Sequence, residues 1–471
     1  LVTVTTLLSV AAAPMTPEWW VSRLYAELMA RQPDIDFYTR YVDGDHDAPT
    51  LEERASQAFR RIAGLSQTNL AGLIVEATAE RLEVQGFRFG DESTADEDAN
   101  RIWQGSDFDA QSELLMGAAL TVGRSYVLVE PGSPFPRLYA EDASQMIVAY
   151  ESGRRDLRRA ALKVWVDEWT GDRHATLYLP ASLHKYRAPA EIPGVKVAVP
   201  RWELRDPDVD GERNPLGTVP VFELRNRPRL DGSVRSEVHD VIGDQDACNH
   251  IALNGLIAAE YGAFRQKWAT GLEVPRDPVT NEPIEPFNVA VNRILINESD
   301  EPGARFGDFN ATDLAPYITM YESRVKHMAA VSQTPVSTFG IVPNVAAEAL
   351  ALSITGLVNK VRRRAKHFEQ PYEDAIRLAF RAMGDPRADA VGAETIWKNP
   401  EIQSLSQLAD AAQKLTGGPV ITPQTAQEMI LGMTEPQRAR DEAWRGENDV
   451  LGQFTRDLEA QAADTEVPRR P

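Results

Sequence analysis

Residues 232–271 read GSVRSEVHDVIGDQDACNHIALNGLIAAEYGAFRQKWATG, a long segment with a helical period whose stretch 236–260 is acidic throughout. Ser236 is placed to cap a helix from Glu237 to about Lys267, with Glu237 in the first turn, where the helix dipole favours negative charge. Val238, Val241, Ile242, Leu253 and Leu256 supply an apolar stripe. Between Ser236 and Glu260 the charged residues are Glu237, Asp240, Asp244, Asp246 and Glu260, with no Lys or Arg. Glu237, Asp240 and Asp244 stand at i, i+3 and i+7, so a helix would carry them on one face. On the residues alone, such a run reads as a solvated helix face.

Downstream, residues 271–310 are rich in Pro, Asn and Asp, with a short strand candidate in VAVNRILI. Thr312 and Asp313 open a second helix that stops at Ser332, ahead of Pro335. After TPVSTFGIVP (334–343), Asn344 caps a third helix reaching Met383, which Pro371 is expected to bend or interrupt. From Pro400 the chain is helical and charged, and beyond Ala463 a disordered tail is expected.

Upstream, residues 17–123 follow a helical period, with Trp20, Leu24, Leu28 and Met29, then Leu51–Ile62 and Leu70–Val84. A helix over Ser112–Val122 should end at Gly123 as its C-cap. From Arg124 to Leu224 the period becomes two, in SYVLVE, QMIVAYE, LKVWVDEW, ATLYL, LHKYR and VPVFEL. Short turn-rich links between these runs predict antiparallel pairing and a mixed α+β fold, without strand–helix alternation of the dinucleotide-binding kind.

The 471 residues suffice for several packed units. Hydrophobic residues make up 43% and charged residues 25%, which excludes a wholly disordered chain. No apolar run approaches the ~18 residues of a membrane span. The formal charge is −20, from 70 acidic against 50 basic residues, opposite in sign to a protein that grips nucleic acid by its phosphates. The single Cys248 excludes an intrachain disulfide and a Cys-based zinc site, and fits synthesis in a reducing cytoplasm. Residues 1–14, LVTVTTLLSVAAAP, lack the basic start of a signal peptide and read as an extension ahead of Met15.

Catalytic spacing is scarce. There is no GxxxxGK[ST], HExxH or GxSxG, and the seven histidines never stand at i, i+4. Asp206, Asp208, Asp210 and Gly211 resemble the first half of a calcium loop, but its closing position falls on Gly217, so a solvated turn is favoured over a metal site. No cofactor is expected. The third helix carries a basic patch, Lys360, Arg362, Arg363, Arg364 and Lys366. It reads either as a phosphate contact or as a set of partners for acidic neighbours within or between subunits, and the overall charge favours pairing.

In this order the segments resemble the portal proteins of tailed bacteriophages, of the SPP1-type family found in phages of actinobacteria. The resemblance rests on YVDGDHDAP (41–49), GRSYVLVE (123–130), NPLGTVPVFELRNRP (214–228), the 232–271 segment and the TPVSTFG…NVAAEALALSITGLVNK run (334–360). It spans roughly residues 15–463. The resemblance implies a non-enzymatic ring of about twelve subunits at one capsid vertex, through which double-stranded DNA enters and leaves. Its implied partners are the major capsid protein, scaffold, terminase large subunit and head-completion adaptor, with no membrane, and assembly in the host cytoplasm.

By the same resemblance, 1–14 is an extension, 15–235 an outer wing, and 236–268 and 312–333 stem helices. Residues 269–311 would be the clip, 334–344 the tunnel loop, 345–399 a kinked wing helix, 400–463 a crown and 464–471 a tail. The tunnel loop (Thr334, Pro335, Val336, Ser337, Thr338, Phe339, Gly340 and Ile341) is expected to project inward and touch DNA.

Twelve helices at about 9–10 Å spacing close a circle roughly 37 Å across, leaving on the order of 25 Å free. If Glu237, Asp240 and Asp244 faced that hole, their charge would keep DNA from adhering. The helices at 236–268 and 345–383 carry more apolar face than one subunit would cover. Alternatives are a virion adaptor or scaffold without a channel, and a metal-dependent nuclease using the 206–210 carboxylates.

Overall fold

The Thr16 side chain accepts a hydrogen bond from the Trp19 amide, and Pro17 holds the first helical position, so helix α1 (Pro17–Asp43) begins where its free amides are met. It ends at Gly44, whose φ of 84° suits glycine. The computed structural model describes residues 13–47, 62–90, 95–189, 200–206, 211–263, 267–270, 278–280, 305–308, 313–341, 347–401, 405–417, 421–433 and 435–448.

Next come α2 (Ala71–Ala79), strand β1 (Val84–Phe89), α3 (Glu97–Gly105) and α4 (Phe108–Val122). The strands follow: β2 (Arg124–Glu130), β3 (Arg137–Glu141), β4 (Met146–Glu151), β5 (Arg154–Val166), β6 (Arg173–Tyr178), β7 (Ser182–Ala188), β8 (Glu203–Leu204), β9 (Glu212–Arg213) and β10 (Val221–Arg225). Then come α5 (Ile242–Ala263), the paired strands β11 (Lys267–Thr270) and β12 (Arg305–Asp308), and α6 (Ala315–Ser332). A 3₁₀ turn (Val336–Phe339) leads to α7 (Ala347–Met383) and β13 (Ala393–Trp397). Helices α8 (Leu405–Thr416), α9 (Pro423–Met429) and α10 (Glu435–Asn448) follow.

The fold is α+β, and its strand pairs are antiparallel. One sheet runs β10-β2-β3; a larger one runs β4-β5-β6-β7-β8, with β9 on β7. Helix α1 lays Val21, Leu24, Tyr25 and Leu28 on the larger sheet, against Leu162, Val164, Leu177 and Tyr186. The main core joins α2–α4 and β1, β2 and β10 to α7, through residues such as Phe87, Trp103, Phe108, Phe368, Tyr372 and Phe380.

Each of the six expected strand runs is a strand, and α4 ends at Gly123 as expected. Four expectations are corrected. The helical period over Leu70–Val84 stops at Ala79, because Val84–Phe89 pairs with Ala393–Trp397, some 300 residues away in the chain. The helix expected from Glu237 begins at Ile242; residues 237–241 form turns, and Lys267 already belongs to a strand. Of the bend or interruption expected at Pro371, the interruption is absent: helix α7 runs on through it, with Phe368, Tyr372 and Ile376 buried on either side. That helix also buries its apolar face from Leu357 to Phe380 in the subunit's own core, so its apolarity does not call for a neighbour.

Candidate functional site

Gly123 ends α4 with φ 94°, and a Cβ there would lie 2.9 Å from Val234 Cγ2 and 3.2 Å from the Arg235 carbonyl carbon. Only glycine lets the segment before α5 cross the helix end so closely. The Glu237 amide donates to the Leu120 carbonyl at 2.8 Å, and the Asn226 amide donates to the Gly123 carbonyl at 2.9 Å. This backbone frame sends the Glu237 carboxylate inward, against α7.

There Arg364 grips it with two donors, Nε to Oε2 at 2.9 Å and Nη2 to Oε1 at 3.1 Å. Asn226 Nδ2 donates to Oε2 at 3.2 Å, and Lys360 Nζ lies 3.7 Å from Oε1. Lys360 also donates to Thr334 Oγ1 at 3.3 Å. Glu237 is 5% exposed and Lys360 1%, so this ion cluster is part of the interior. It ties the end of β10, the approach to α5, the exit from α6 and the middle of α7 into one unit.

Burial pushes the Glu237 carboxyl up, but Arg364 and Lys360 outweigh it and hold it below the usual carboxylate range. For Lys360, burial dominates and pulls the ammonium down to about 8 from 10.5, with Glu237 opposing only in part. Between those two values the unfolded chain binds the proton more tightly than the folded one. Stability from this group therefore rises as pH goes from about 8 towards 10.5. Chemical denaturation across that window should show the rise in the wild-type protein and its loss in Lys360→Met.

The acidic stripe takes a different form from the one the sequence implied. Glu237 and Asp240 precede the helix, so they share no helical face with Asp244. Asp240 pairs with Arg227, and with Arg235 at 3.3 Å. Asp244, nearly buried, bonds His327 at 2.8 Å and lies 3.4 Å from Arg324, which pins α5 to α6. Asp246 accepts from the Tyr41 hydroxyl at 2.8 Å. Asp246 and Glu260 are the exposed carboxylates of α5. A buried polar cluster, which the sequence did not reveal, fixes α5 further. Gln245 accepts from the Leu70 and Ala71 amides at 3.0 Å each, and Asn249 donates to His46 at 3.1 Å.

Beyond this anchored half, α5 and α6 pack on each other and expose apolar side chains, Leu256 on α5 and Ile318 (61%) and Met320 (56%) on α6. The described part of the segment after α6 packs in part on its own subunit. Thr334 is buried, Val336–Phe339 turns back as a 3₁₀ helix, and Phe339 and Ile341 pack on the main core. Ser337 and Gly340 are exposed, and residues 342–346 lie outside the described chain.

In the basic patch, Lys360 and Arg364 serve Glu237, Arg362 meets Glu401 at 2.7 Å, and Arg363 donates to the Gln333 side chain. Lys366 is exposed. Asp206 follows β8, while Asp208 and Asp210 lie outside the described residues. No helix among the described residues is long and apolar enough to cross a membrane.

A family model described as phage portal protein, SPP1 Gp6-like, matches residues 22–454. The portal protein of Mycobacterium phage D29 is 30% identical over 410 residues, covering 82% of this chain and 80% of the relative. That of Mycobacterium phage L5 is 27% identical over 440 residues, covering 89% and 86%. A chain solved in the neck of an empty GTA particle, computed with C6 symmetry, superposes with a TM-score of 0.43 at 12% identity, over 80% of this chain and 91% of that one.

Proposed function

The chain belongs to the SPP1 Gp6-like family of phage portal proteins, and from that premise we propose that about twelve copies close into a ring whose channel is walled by α5 and α6. The observation that carries the channel assignment is the exposed apolar surface on the outer halves of this helix pair, with Ile318 and Met320 more than half exposed. Neighbouring copies would cover it. The β11–β12 pair at the far end of the helices then belongs to the clip, where terminase and the head-completion adaptor would dock. The body from α1 to β10 forms the wing towards capsid protein and scaffold, and α8–α10 form the crown. In this arrangement the protein is a virion component at the capsid's portal vertex.

The negative field of such a channel comes from Asp246 and Glu260, not from the paired Glu237. Sparse carboxylates on the wall repel the duplex without gripping it, as a conduit requires. The exposed edge of the 334–341 turn, at Ser337 and Gly340, stands beside the exit of α6 as the tunnel-loop element. Phe339, packed on the core, supports that turn and is not a DNA contact.

Charge reversal tests the assignment. With Asp246→Lys and Glu260→Lys together, the assembled protein should retain duplex DNA with a steep salt dependence, and packaging should stall. A variant that packages normally and holds no DNA at low salt would move the channel wall to other elements.

A further inference from the structure

A cavity of about 400 Å³ opens where the approach to α5, the exit from α6 and α7 converge. Its walls bring Arg227, Lys360, Arg363 and Arg364 against only two carboxylates, Glu237 and Asp240. The local balance is thus four cations less two anions, or +2, in a chain of −20. Lys360 and Arg364 are committed to Glu237, and Arg227 to Asp240. Arg363 is different: it donates to Gln333 Oε1, a neutral acceptor, and leaves its charge uncompensated at the mouth. Because Oε1 is held in that way, the Gln333 amide nitrogen is a further donor at the same mouth.

Backbone conformation points to the same place. Among the described residues, four that are not glycine have positive φ, and two of them, Arg227 (46°) and Gln333 (55°), line this cavity. Gln333 takes this conformation as the left-handed C-cap that ends α6, which places the residue at the cavity mouth. His367 on the same wall is held below the usual imidazole range by burial and then by Arg364, as expected of a site short of negative charge.

We propose that this cavity binds one phosphate-type oxyanion, held by Arg363 and the Gln333 amide at its mouth, with Arg227, Lys360 and Arg364 supplying the positive field. The inference does not depend on the ring or on which helices wall the channel. The oxyanion has two sources, free inorganic phosphate or a phosphodiester of a DNA backbone, and both present the same group.

Calorimetric titration of the full-length protein with inorganic phosphate, at constant ionic strength, should show one site per chain. Arg363→Gln removes a charge-assisted donor from an exposed position and should weaken phosphate roughly tenfold. Gln333→Gly deletes the amide donor and relieves a positive φ, so it should weaken phosphate several-fold while the melting temperature holds or rises. Lys414→Gln, on exposed α8 and away from the residues lining this cavity, should titrate like the wild type. A short DNA duplex that displaces phosphate from the wild-type protein, and binds less to Arg363→Gln, would identify the backbone as the source. Phosphate binding that the duplex does not displace would identify the free ion as the ligand. Absence of phosphate binding in the wild type, or unchanged affinity in both Arg363→Gln and Gln333→Gly, overturns the proposal.

Discussion

Glu237→Ala is expected to cost about 3–5 kcal/mol of folding stability, among the largest effects available from one side chain in this protein. The substitution opens a cavity at a buried position, but its larger effect is electrostatic. It leaves Arg364 and Lys360 facing each other in the interior with no anion between them, and takes one of two acceptors from the Asn226 amide, which keeps the Arg235 carbonyl. Most of the loss is the desolvation of unpaired charge rather than the worth of the ion pair itself. That origin makes a second, sharper expectation. Replacing the cluster together, as Glu237→Leu with Arg364→Leu and Lys360→Met, should recover much of the loss, because a buried ion cluster can be exchanged for packed apolar groups at little net cost. Acid gives an independent check. The folded carboxyl is held below its ordinary 4.5, so its contribution is complete above that pH and fades as pH falls through the depressed value. Urea denaturation of the three proteins at neutral pH decides the matter. A Glu237→Ala variant within about 1 kcal/mol of the wild type would mean that the cluster is hydrated and slack.

The second large effect concerns assembly. Ile318→Lys with Met320→Lys on the outer half of α6 should abolish the ring while leaving the subunit folded. Both side chains are more than half exposed within one subunit, so the substitutions disturb no internal packing. In the ring each is expected to be covered by a neighbour, where burying a large apolar side chain is worth about 1.5–3 kcal/mol, repeated at every interface. Light scattering should therefore fall from a species many times 52.2 kDa to the single chain, with the thermal transition of the subunit retained. If the variant still forms rings and acquires affinity for DNA instead, at least one of these two positions, which lie on different sides of α6, looks into the channel rather than at a neighbour.

Local periodicity and turn chemistry made much of this architecture legible in the sequence. Strands β2, β4–β7 and β10 lie within or against runs of period two, and Gly123 ends α4 where a left-handed cap was expected. What failed was long-range. The run from Ser236 to Glu260 contains no basic residue, and looked uncompensated for that reason, yet its carboxylates draw Arg235 from just before it and Arg227, Arg324 and Arg364 from further away in the chain. Arg364 reaches Glu237 across 127 positions, a pairing that no spacing rule can register. Strand β1 escaped notice because its partner β13 lies at the other end of the chain. In the basic patch Lys360, Arg362 and Arg364 meet carboxylates while Arg363 meets Gln333; the cavity at its edge depends on how three segments converge, and spacing does not encode that. The order of the segments identified the family, whereas the site had to come from tertiary contacts.

The central claim is that copies of this chain close a ring around a channel walled by α5 and α6. Electron microscopy of the purified, assembled protein tests it most directly. Closed rings of about twelve subunits are expected, with a central hole on the order of 25 Å and density for the α5–α6 pair on its rim. Single subunits at every concentration, or rings whose hole is lined by the β4–β9 sheet while α5 and α6 lie on the outside, would contradict it.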